Sequence, residues 1–161
     1  MNIKQIVKEE IKKLLMEDVA ELRAQLLSDN PDPIIILQSA LEGEYYIVDY
    51  IMQHFDDLNL SEHLKDDLLF FIENINSLQI LMNSGWELKD VKRNPRGIVL
   101  SLFKPSGNYF YTLAIYTSRI TYSKYYKNRG SWEVVTRRED VITSSDVFNK
   151  SLSHWNWMSG S

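Results

Sequence analysis

Between residues 109 and 138 the chain interleaves Tyr109, Tyr111, Tyr116, Tyr122, Tyr125, Tyr126 and Trp132 with Arg119, Lys124, Lys127, Arg129, Arg137 and Arg138. Rings beside cations are the two ingredients of a surface that stacks the bases of a single strand and follows its phosphates. They are also what a half-buried sheet offers, with rings packed inward on one face and basic side chains solvating the other. Strand alternation sets Tyr109, Tyr111, Leu113 and Ile115 on one face, and Phe110, Thr112, Ala114 and Tyr116 on the other. The first set is the expected core face, so at least two of the tyrosines are structural. The candidate binding residues, for nucleic acid or for a partner protein, are Arg119, Tyr122, Lys124, Tyr126, Lys127, Arg129, Arg137 and Arg138.

The other residues able to do chemistry are scattered. Asp56-Asp57 and Asp66-Asp67 are adjacent pairs. Helix neighbours point about 100° apart, so neither pair forms a two-carboxylate site unaided, and a solvated face is expected for both. His54 and His63 flank a predicted loop, with Glu62 as the one nearby carboxylate, too few ligands for a metal. Glu87-Leu88-Lys89 matches the Glu-x-Lys half of a metal-dependent nuclease motif. That chemistry also needs an Asp on a preceding strand to hold the cation, and here the preceding segment reads as helix. His154-Trp155-Asn156-Trp157 reads either as a partner-docking tail or as a helix packed on the sheet. Phosphate-cradling glycine loops, the nucleophile elbow and the His-Glu-x-x-His zinc motif are absent from the sequence. No catalytic residue, metal or cofactor is expected.

The charge is divided near Gly85. Residues 1–85 carry sixteen Asp/Glu and six Lys/Arg, a net of −10; residues 86–161 carry six and twelve, a net of +6, giving −4 for all 161 residues. Such asymmetry implies a charged partner, or two surfaces with different roles. Composition is that of a globular domain, 44% hydrophobic and 25% charged. No apolar run approaches the roughly 20 residues that span a bilayer, and the first ten residues alternate charge with apolar side chains rather than forming a signal peptide. The lack of cysteine fits a reducing, intracellular setting, so a cytoplasmic location is expected. Heavy use of Ile, Asn, Lys and Tyr fits an AT-rich genome such as many bacteria and their phages carry.

The elements that would position these residues change character at the same point. Apolar residues at Ile3, Val7, Ile11, Leu14, Leu15, Val19, Leu22 and Leu26 recur in steps of three and four and predict a first helix over 2–27. Unbroken, it would span roughly 38 Å at 1.5 Å per residue; a break near Met16–Asp18 is the alternative. Asp32-Pro33 opens a second helix and Gly43 ends it. A third carries Tyr45 to Phe55, and a fourth, capped by Ser61, runs from Leu64 to Met82. Beyond Gly85 the period becomes two. Turns at Asn94-Pro95-Arg96-Gly97, Lys104-Pro105-Ser106-Gly107-Asn108 and Asn128-Arg129-Gly130 punctuate an antiparallel meander of four to five strands. Ser145 then caps a short last helix with Val147, Phe148, Leu152 and Trp155 on one side.

The expected fold is therefore α+β. Three to four helices in 1–85 pack on the basic, aromatic meander of 86–161, as one domain over 1–161. The function expected first is a non-catalytic interaction protein, an assembly component or a regulator or inhibitor of another protein, of phage or mobile-element origin. A single-stranded nucleic-acid binder using the Tyr-rich sheet is the alternative, and a metal-dependent nuclease the third choice. Another protein is the expected partner, no membrane is involved, and the first helix offers a route to a homo-oligomer.

Overall fold

The computed structural model describes residues 2–160, with the side chains of residues 11–18 outside that description. The chain is α+β and divides into two compact units, Met1–Ser61 and Glu62–Ser161. Among the described residues, no helix is long and apolar enough to cross a membrane.

The first unit is helical. Helix α1 (Ile3–Leu26) runs unbroken through Met16–Asp18; Asn2 caps it by accepting a hydrogen bond from the Gln5 amide. Ile11, Leu14 and Leu15 of the predicted stripe lie outside the described side chains, whereas Leu22 and Leu26 are buried. Helix α2 (Pro33–Glu42) begins as the sequence predicts. The Asp32 carboxylate accepts from the Ile34 amide at 3.0 Å, and Pro33 fills the position where an amide hydrogen would have no partner. Gly43 ends it, but in extended backbone (φ −91°, ψ 169°) rather than the left-handed form. Glycine is needed there for space, since a Cβ would stand 2.7 Å from both Ile47 Cγ1 and the Ser39 carbonyl oxygen. Helix α3 (Tyr45–His54) follows and tightens into a 3-10 turn at Phe55–Asp57.

The second unit holds helices α4 (Glu62–Glu73) and α5 (Ile75–Asn83), then the strands, then helix α6 (Ser145–Met158). The predicted fourth helix is thus two. They break at Asn74, whose side-chain nitrogen donates to the Phe70 carbonyl (2.9 Å) and to Ser145 Oγ (3.2 Å). An amide that competes for backbone groups ends a helical run without disturbing the apolar spacing, so periodicity alone hides the break. The cap of α6 is Ser144, one residue earlier than predicted; its Oγ accepts from the Val147 amide.

Strands β1 (Glu87–Asn94), β2 (Gly97–Ser106), β3 (Tyr109–Ile115), β4 (Arg119–Asn128) and β5 (Ser131–Val141) pair antiparallel in chain order. The predicted turns all form, although β2 continues through Lys104 and Pro105 to Ser106. Proline is tolerated there because the β1 pairing ends opposite Phe103, leaving that stretch of β2 bonded on one side only.

One face of this sheet is the core. Val91, Ile98, Leu100, Leu102, Tyr111, Leu113, Ile115, Ile120 and Tyr122 are buried on it. Helix α6 lies on that face through Trp155, whose ring stacks on Tyr122 at 4.3 Å and 8°. Asp140 on β5 fixes the helix further, accepting from Ser151 Oγ (2.7 Å) and Trp155 Nε1 (2.9 Å). Phe148 of α6 meets Phe70 and Phe71 of α4 edge-on. Trp86 is fully buried and donates to Asn156 of α6. Helix α4 is tied to the β1–β2 hairpin by Asp67, buried and accepting from the Ile98 amide (3.1 Å) and from Thr117 Oγ1 (3.3 Å). This corrects the solvated role expected of that aspartate: position 67 lies among Leu64, Leu68 and Phe71 on the buried stripe.

Candidate interaction surface

Helices α4 and α6 both sit on the inner face of the sheet, and the side chains of the opposite face alternate with the core set along every strand. On this open face the cross-strand register brings four rings together. Phe103 of β2 stacks on Phe110 of β3 at 5.6 Å. Phe110 in turn meets Tyr125 of β4 at 6.1 Å and Trp132 of β5 at 5.7 Å. Rings 4.5–7 Å apart attract beyond their area of contact, so the four form a connected patch spanning β2 to β5. Trp132 remains 48% exposed, and Val134 beside it on the same face 59%. Val99 and Ser123 are the buried members of this face.

A bulge shapes the edge. Lys124 pairs with Thr136, but the next residue, Tyr125, pairs with Val134, so Val135 is an extra residue in β5. The parity of β5 shifts across it, which puts Trp132 and Val134 on the open face together with Arg137 and Glu139. Without the bulge the Trp132 ring would fall on the other face, away from Phe110.

The sequence-predicted site residues are not gathered in one place. Tyr122 belongs to the core: it is 2% exposed beneath Trp155, so it presents no ring to a partner. Burial, with a smaller contribution from the neighbouring Tyr111, pushes its phenol up to about 12. Strand alternation divides the remainder. Arg119, Lys127 and Arg137 stand on the open face, whereas Lys124, Tyr126 and Arg138 share the inner-face parity of Tyr122. Lys124 Nζ lies 4.3 Å over the Tyr109 ring and 5.9 Å from that of Tyr111, and Tyr126 packs against Tyr109 at 5.3 Å. Arg129 occupies the β4–β5 turn with φ +52°, off both faces.

Charge on the open face is partly spent within the sheet. Arg119 pairs with Glu139 at 3.3 Å and lies 4.6 Å over the Tyr116 ring; Lys92 pairs with Asp90 at 3.5 Å. Such partly exposed pairs stabilise the fold little but do cancel local field. Lys127 and Arg137 have no carboxylate within 4.0 Å among the described residues, and they flank Tyr125 and Trp132 in register.

Sequence reasoning left Phe103 and Phe110 out of the candidate site. Alternation along 109–116 does place Phe110 opposite the core set, but the closeness of Phe103, Tyr125 and Trp132 depends on strand register, which alternation does not supply.

Elsewhere, among the described residues, no three of His, Asp and Glu are grouped as metal ligands would be. Glu87 stands at the start of β1, and His154 packs beside Trp155 and Trp157. A concavity of about 330 Å³ in the first unit is lined by Leu22, Ser39, Glu42, Gly43, Glu44, Tyr46 and Ile47. Neither a protein-family model, nor a curated protein, nor a solved structure matches this chain.

Proposed function

We propose that this chain is a non-catalytic interaction protein, an assembly component or regulator, that binds another protein through the open face of its sheet. The observation behind this reading is the connected patch of Phe103, Phe110, Tyr125 and Trp132 on the face opposite α4 and α6. Aromatic side chains are enriched where proteins meet, and an exposed Trp is a frequent anchor of such contacts. Two features favour protein over nucleic acid as the occupant. The rings pack against one another, leaving few free faces for bases, and two of the cations on this face are already paired. The test is a capture experiment with the immobilised full chain, comparing wild type with Phe110→Ala/Trp132→Ala and with Arg137→Ala. A protein held by wild type and by Arg137→Ala but lost with the aromatic pair supports the reading. Identical capture by all three overturns it.

A second reading rests on Lys127, Arg129 and Arg137, which surround Trp132 without an ion pair of their own. A single-stranded nucleic acid would place phosphates on these cations and a base on Trp132. It requires binding of a labelled oligonucleotide at low salt that weakens steeply as salt rises. No binding at low salt removes this reading.

A further inference from the structure

We infer that the exposed beginning of α1 is a self-association arm that pairs antiparallel with the same helix of a second copy. Every residue from Asn2 to Glu10 is exposed, although the segment is helical and carries an apolar stripe. Ile3 is 80% exposed, Ile6 47% and Val7 49%. A helix this short is marginal in water without a surface to cover its apolar side. The far end of the same helix is anchored, with Leu22 and Leu26 buried, so the arm is held out from a fixed base.

The sequence of charges selects the occupant. Along the helix they fall in blocks of alternating sign: Lys4 and Lys8, then Glu9 and Glu10, then Lys12 and Lys13, then Glu17 and Asp18. In an antiparallel pair with position 11 of each copy level at the centre, position 9 faces 13, position 10 faces 12 and position 4 faces 18. Each of those pairings sets Glu against Lys or Lys against Asp. The same register puts Val7 level with position 15 and Ile3 level with Val19, which are apolar in the sequence. A parallel, in-register pair would instead set every block against its own sign, so the charges exclude it and choose orientation as well as partner.

Sedimentation velocity on the full chain over a concentration series tests this. The expected wild-type result is a shift from one chain mass to two as concentration rises. Ile3→Ser/Val7→Ser, at positions exposed in the single chain, is expected to raise the dissociation constant at least tenfold with the circular dichroism of the fold retained. Glu9→Lys/Glu10→Lys and Lys12→Glu/Lys13→Glu each set like charges opposite one another and are expected to lose self-association, yet to associate when mixed. A wild type that stays monomeric overturns the inference, as does a dimer unaffected by the arm substitutions, or a mixture of the two charge variants that does not associate. None of these readouts depends on the aromatic patch of the sheet, so the proposed partner surface stands or falls separately.

Discussion

Tyr122 shows how one residue moved from a candidate surface to the core. Its place between Ile120 and Lys124 gives it inner-face parity, and Trp155 covers it. A phenol pushed up to about 12 is held in its neutral form by the fold. The unfolded chain, with an ordinary value near 10, releases that proton first. The contribution of Tyr122 to stability is therefore fully present below about pH 10 and is lost as pH climbs toward 12. Its size is on the order of 2 kcal/mol, since each pKa unit corresponds to about 1.4 kcal/mol. Denaturant unfolding at several values between pH 9 and 12 should show wild type losing stability faster than Tyr122→Phe, which has no phenol to ionise. Equal slopes would place the ring in a more solvated setting than Trp155 allows.

At the scale of elements, a few side chains decide which pieces lie together. Asp67 joins α4 to the β1–β2 hairpin, and Gly97 is the residue that admits it. Gly97 has φ +116°, and a Cβ there would land on the Asp67 carboxylate. Replacing Asp67 by alanine leaves the Ile98 amide without its acceptor, in a position where Ile98 is 1% exposed. The expected cost is about 2–3 kcal/mol, because hydrogen bonds to charged groups exceed neutral ones and an orphaned buried donor is expensive. Asp67→Asn keeps an acceptor oxygen and should lose less. Chemical denaturation of the two variants checks the order, and an equal loss would point to packing rather than the hydrogen bond. On the opposite side of the sheet the β5 bulge plays a comparable part, since it turns Trp132 toward Phe110.

For the molecule as a whole, charge and structure divide at different places. The second unit takes α4 and α5 together with the sheet and carries thirteen Lys/Arg against ten Asp/Glu, a net of +3. The first unit carries five against twelve, a net of −7. Much of the positive charge near the sheet is thus offset by acidic residues of the same unit. All four tryptophans, at 86, 132, 155 and 157, fall in the second unit. Their fluorescence reports that unit alone, whereas far-ultraviolet circular dichroism also reads α1, α2 and α3. A single cooperative domain over 1–161, proposed from the sequence, predicts coincident thermal transitions by the two probes. Separate midpoints would assign the units independent stabilities.

The sequence by itself determined the α+β class, the order of helices and strands, the capping of α2 and the three hairpin turns. Each of these rests on neighbours in the chain: a period of 3.6 or 2, a capping oxygen, a turn residue. It also determined which side of β3 faces the core, because alternation carries that information. What only the tertiary structure decided depends on pairs far apart in the chain. Asn74 breaks a helix by bonding locally and reaching Ser145. Asp67 is buried because an amide some thirty residues later needs its oxygen. The basic candidates part company because register and parity send Arg119, Lys127 and Arg137 to one face and Lys124 and Arg138 to the other. The aromatic patch exists because four strands align Phe103, Phe110, Tyr125 and Trp132. Composition supplies the rings and the cations, but register and a single bulge decide which of them meet.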